Sequence, residues 1–169
     1  MKTSAKIPII SVFFSVCLLM ATEGKSLAEE YTTLKGLKSV KAVFDFEKGK
    51  PQQALLQLQV IGETFKDKNV QKSGKKPRMA VVFMGPAVKL ISKNRSGFTE
   101  EEQKILDEFA NTLSNLAREG VKFEGCLIAM KILGVDPATI LPEIKQVGNG
   151  WISLIGHQAQ GYALVTISP

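Results

Sequence analysis

Two hydrophobic rhythms alternate along this chain, one extended and one helical, and together they predict strands interleaved with helices. From Lys38 to Phe46 the apolar residues Val40, Ala42, Val43, Phe44 and Phe46 make a partly alternating strand, ended by Glu47-Lys48-Gly49-Lys50. Pro51 then opens a helix at a position where its missing N–H is no loss. Ala54, Leu58, Ile61 and Phe65 follow on one helical face. From Lys66 to Arg78 the chain turns basic and polar around Ser73-Gly74, which predicts a loop. Met79 to Met84 is a short, unbroken apolar run, the pattern of a central parallel strand buried on both faces. Gly85 ends it, Pro86 suits the first position of a helix, Ala87 to Ile91 predicts a short helix, and Ser92 to Phe98 a loop.

Thr99-Glu100-Glu101-Glu102 has the form of a capping box, with Thr99 as N-cap and Glu102 reaching back to it. Three carboxylates at the positive end of the helix dipole add to the signal. Ile105, Leu106, Phe109, Leu113 and Leu116 give this helix its buried stripe, and Gly120 its stop. Val121 to Gly125 predicts a strand, Cys126 to Leu133 a helix closed by Gly134, and Pro137 to Leu141 a further turn. Ile144 to Val147 predicts a strand, Gly150 to Gln160 a helix, and Tyr162 to Ile167 a last strand. Strands joined through helices pair in parallel by right-handed crossovers, so the class is α/β.

The first residues have a different organisation. Lys2 and Lys6 precede an apolar stretch from Ile7 to Ala21, and Ser26-Leu27-Ala28 offers small residues at the −3 and −1 positions of a cleavage site. That order predicts a secretory signal peptide over residues 1–28 and a single domain over 29–169, exported to the periplasm. The stretch is shorter than the roughly 20 residues of a spanning helix, which weighs against an uncleaved anchor. Lipidation of Cys17 fits poorly, because Leu18-Leu19-Met20 continue the apolar run. Loss of Lys2, Lys6 and Lys25 against Glu23 would lower the net charge from +6 to +4. A charge that small and dispersed does not call for nucleic acid, and once the leader is cleaved no membrane segment is expected.

Cleavage would also remove Cys17 and leave Cys126 as the only thiol, with no intramolecular disulfide and no two-cysteine redox motif. Cys126 falls where a strand ends and a helix begins, the edge at which open α/β sheets bind ligands. A helix N-terminus favours a thiolate, which could attack a disulfide or polysulfide or hold a persulfide. The competing reading is a small buried side chain filling a gap behind the sheet. The sole histidine, His157, reads as a satisfied or solvent-facing residue, and Trp151 as a core or interface aromatic. Glu100, Glu101 and Glu102 are explained by capping. Gly85-Pro86 lacks phosphate-loop spacing, and one His with one Cys makes no zinc site, so neither metal nor cofactor is expected.

Val81-Val82-Phe83 before Gly85-Pro86-Ala87-Val88, Gly120-Val121-Lys122-Phe123 leading to Cys126, Gly134-Val135-Asp136, Leu141-Pro142, and Gly161-Tyr162-Ala163 occur in an order that resembles the DsrE/DsrF-like sulfur-relay superfamily, in its small exported branch. The resemblance implies a three-layer α/β/α sandwich with a five-stranded, mostly parallel sheet, assembled as trimers or hexamers. It also implies that Cys126 carries persulfide sulfur between a donor and an acceptor protein. The alternative is a non-catalytic oligomeric binding domain in which Cys126 is a packing residue.

Overall fold

The computed structural model describes residues 31–168. The signal-peptide reading of residues 1–28, and Cys17 with it, lies outside the described residues. Five strands form one sheet: β1 Ser39–Phe46, β2 Lys75–Phe83, β3 Lys122–Cys126, β4 Ile144–Val147 and β5 Ala163–Ile167. Their order is β4-β3-β2-β1-β5, and every pairing is parallel. The helices are α1 Pro51–Lys66, α2 Lys68–Lys72, α3 Glu100–Glu119, α4 Leu127–Leu133 and α5 Gly150–Ala159, with short 3-10 turns at Gly85–Lys89 and Pro137–Thr139. Among the described residues no helix is long and apolar enough to cross a membrane.

The strand order explains the layers. From β1 to β4 each new strand is added on the same side, so right-handed crossovers place their helices on one face. The step from β4 to β5 runs back across the whole sheet, and keeping the same hand puts α5 on the opposite face. α1 and α3 pack together on the first face, and α5 lies over β1, β2, β3 and β5 on the second.

Side-chain alternation divides the core accordingly. Phe44, Phe46, Val81, Phe83 and Phe123 join Leu58, Leu106 and Phe109 beneath α1 and α3. Phe83 is the hub of this side, with ring centroids 5.1 Å from Phe46 and 6.1 Å from both Phe109 and Phe123. Val43, Ala80, Val82, Met84, Cys126, Leu154 and Tyr162 form the smaller core beneath α5.

The segment 66–78 is not the loop its polarity predicts. Asp67 caps α2, its Oδ1 accepting from the backbone N–H of Asn69 at 2.7 Å and of Val70 at 3.3 Å, and Val70 is buried. β2 starts as early as Lys75, pairing with Ser39 before a register shift that gives β2 one extra residue against β1. Pro77 sits in that bulge and ahead of the β3 ladder, which begins at Ala80, so its missing N–H is tolerated in a central strand.

The capping box is formed as the sequence predicts. Thr99 Oγ1 accepts from the Glu102 N–H at 3.2 Å, and Glu102 Oε2 accepts from the Thr99 N–H at 2.9 Å. Gly120 ends α3 in the left-handed region at φ 110°. Thr99→Ala therefore loses about 1 kcal/mol of stability, visible as a lower denaturant midpoint at unchanged slope. A midpoint equal to wild type would show that the cap contributes nothing.

Candidate functional site

β3 reads Lys-Phe-Glu-Gly-Cys, and its alternation sends Phe123 into the larger core and both Glu124 and Cys126 toward α5. Cys126 ends the strand and is the N-cap residue of α4, as its sequence position predicts. The thiol is a free cysteine, 5 % exposed. Val147 on β4 flanks it across the sheet, and Met84, the residue after β2, shares its core.

Cys126 Sγ accepts a hydrogen bond from the backbone N–H of Gly150 at 3.2 Å. Gly150 is the first residue of α5, so this N–H has no intrahelical partner and lies at the positive end of the helix dipole. Only glycine permits the approach. A Cβ at position 150 would overlap the Met84 side chain at Sδ and stand 3.2 Å from Cys126 Cβ. Asn149 caps the same helix through Oδ1, which accepts from the Trp151 N–H at 2.9 Å.

Two residues back along the strand, Glu124 is buried at 8 % exposure. Ser153 Oγ donates a hydrogen bond to Glu124 Oε2, and His157 Nε2 lies 3.5 Å from the same oxygen. Ser153 and His157 are one helical turn apart on α5, so a single carboxylate engages two points of that helix. His157 is not solvent-facing and only half satisfied: it is 9 % exposed, its Nε2 lies against Glu124, and its Nδ1 is buried without a hydrogen-bond partner. Its ring packs edge-on against Tyr162, 4.9 Å between centroids. An open cleft of about 590 Å³ lies beside this cluster, lined by Lys122, Glu124, Glu143, Lys145, Ser153 and His157. A second hollow shares Glu124, Lys145 and Ser153 and continues to Asn149, the neighbour of Gly150.

Nothing in the sequence reading singles out Glu124, Ser153 or Gly150. The usable signal was a glutamate inside a short parallel strand, where both faces are normally apolar. Of the other residues named from the sequence, Glu100, Glu101 and Glu102 lie in the first turn of α3, and Gly85-Pro86 opens a 3-10 turn. Trp151 is 68 % exposed on α5, outside the core.

With this geometry in place, comparison with known proteins defines the class. The DsrE/DsrF-like family matches residues 41–167, and the chain belongs to it. A protein of Aquifex aeolicus (strain VF5), described as uncharacterized, is 29 % identical over 130 residues, 75 % of this chain and 55 % of that protein. The match thus spans about half the length of that relative. Among solved structures, the protein of unknown function MTH1491 from Methanobacterium thermoautotrophicum superposes with a TM-score of 0.60 at 18 % identity, over 76 % of this chain and 100 % of that one. The ychN protein of E. coli gives 0.47 at 11 % identity, over 76 % and 99 %. The likeness to MTH1491 shows that this chain shares its fold.

At the same end of the sheet, Asp45 on β1 shares the α5-facing side, and its Oδ1 is buried without a partner. Burial raises its carboxyl above the usual value, and the nearby Glu47 charge raises it further. The native state therefore holds this proton more tightly than the unfolded chain does. The contribution to stability is complete below about 3.8, the ordinary value, and is lost as pH rises through the native one. Asp45→Asn removes that loss, so the variant gains on wild type as pH rises from acid to neutral. Denaturant midpoints measured across that range check this; a variant that instead loses ground toward neutral pH contradicts it.

Proposed function

We propose that this protein is an exported, periplasmic sulfur carrier in which Cys126 takes up and releases sulfane sulfur. The observation that carries the reading is the Gly150 N–H on Cys126 Sγ at 3.2 Å, at the C-terminal edge of a sheet whose family match points to sulfur-relay proteins. A helix N-terminal N–H stabilises the negative charge of a thiolate, and equally that of a persulfide. The Cys126 thiolate attacks the terminal sulfur of a polysulfide, an S–S bond breaks, and the shortened polysulfide leaves with the electron pair. An acceptor thiolate then attacks the outer sulfur and Cys126 leaves as thiolate. Neither step needs a metal or a second cysteine of this chain.

One observation favours a second reading. At 5 % exposure among apolar neighbours, Cys126 has the setting of a packing residue in a non-catalytic oligomeric binding domain. Intact mass after polysulfide treatment separates the two. The carrier gains sulfur that maps to Cys126, is removed by reductant and is absent from Cys126→Ser. Failure of the native protein to gain sulfur that the unfolded chain does gain would leave the packing reading.

We further propose homo-oligomeric assembly, as a trimer or hexamer, through the faces of α4 and α5. Ile128 and Ile132 on α4, with Trp151, Ile152 and Ile155 on α5, are exposed apolar side chains on the two helices that begin beside Cys126. Exposed apolar surface of this kind marks association. Sedimentation should show an oligomer that the double variant Trp151→Glu/Ile155→Glu reduces to monomer; a monomeric wild type overturns the assembly.

A further inference from the structure

We infer that Glu124 is a positioning residue for Cys126: its buried carboxylate, engaged with Ser153 and His157, sets the seat of α5 on the sheet and so holds the Gly150 N–H on the thiol. The inference deepens the sulfur-carrier reading and rests on it for its purpose, while its own readout, ionisation of the thiol, is measured without sulfur.

The placement supports this from both ends of the helix contact. Glu124 and Cys126 are two residues apart on one face of β3, so their separation is fixed by the strand. Gly150, Ser153 and His157 lie within the first eight residues of α5, so theirs is fixed by the helix. Strand and helix are joined by two polar links, Ser153 and His157 on Glu124 at one point and Gly150 on Cys126 at the other. The remaining contact on this face is apolar, chiefly Leu154 against the smaller core, and apolar packing is non-directional. The buried carboxylate supplies the direction. A charge in this position is costly to bury unless it is paired and hydrogen-bonded, so the helix settles where both partners reach it.

The ionisable surroundings are few. Around Glu124 stand Lys145, its register partner on β4, Lys122 on the same strand, Glu143 just before β4, and His157 on α5. Glu143 is itself engaged by Ser114 Oγ. Around Cys126 stand Met84 just after β2, Val147 on β4 and Leu154 on α5, none of them ionisable, and Asp45 at the end of β1 and Glu47 just after it lie a strand further away.

The test exploits a difference in sign. If Glu124 acted on the thiol only through its charge, removing it would make the thiolate easier to form. If it acts by seating α5, removing it makes the thiolate harder to form. The measurement is the ultraviolet thiolate absorbance across pH in the full chain carrying Cys17→Ser, where Cys126 is the only thiol. In Glu124→Ala the pH profile moves to higher pH, and the thiolate fraction at a fixed pH on the acid side falls on the order of tenfold, the worth of one charge-assisted hydrogen bond. Glu124→Gln, whose amide oxygen still accepts from Ser153, stays near wild type. An Ala profile that is unmoved, or moved to lower pH, overturns the inference. Should Glu124→Ala fail to fold, Ser153→Ala gives a smaller shift in the same direction, and no shift in that variant overturns it equally. A wild-type thiol that takes up no sulfur, while ionising as expected in these variants, sinks the carrier reading and leaves the positioning role standing.

Discussion

Crossover handedness is the constraint on which the rest of this structure depends. Four strands are laid down in one direction, and the fifth returns to the far edge beside β1. Because the hand of the connection does not change, that one reversal transfers α5 to the other face of the sheet. The protein therefore has a thick core under α1 and α3, with Phe83 at its centre, and a thinner core under a single ten-residue helix. The candidate site lies in the thinner layer, where one helix reaches the sheet and its first N–H meets the end of β3.

A single covering helix makes the second face sensitive to where that helix sits. Large apolar side chains tolerate sliding, but a hydrogen bond to a sulfur atom does not. Two unlike devices hold α5 in place. Glycine at position 150 lets the backbone approach Cys126 and Met84, and Glu124 gives the helix a fixed polar anchor one turn further on. Both place a residue where ordinary core design would avoid it: a glycine opening a helix under packing, and a carboxylate inside a parallel strand. Such local departures are where function is expected to show. The orphaned Nδ1 of His157 and the desolvated Asp45 belong to the same thin layer.

Much of the fold was legible in the sequence because its signals are local. The capping box at Thr99, the apolar run of β2, proline at the start of α1 and glycine at the ends of α3 and α4 each act within a few residues. The misread stretch from Lys66 to Arg78 shows the limit of that logic. Its exposed lysines are real, but Asp67 caps a helix there and partnership with β1 extends β2 back to Lys75, through a bulge that accepts Pro77. Sheet pairing is a long-range fact, and a polar strand end carries no periodic mark of it.

The sequence by itself determined the family, the alternation of strands and helices, and the placing of Cys126 between β3 and α4. Those follow from residue order and short-range backbone preference. The tertiary structure decided that Cys126 faces the α5 side, that it is buried, and that the N–H of a glycine 24 residues away is its hydrogen-bond donor. It also decided that Glu124, Ser153 and His157 meet. These depend on which face each strand turns to a helix and on a strand order that reverses at β5, relations between distant segments that exist only once the sheet has closed its pairing.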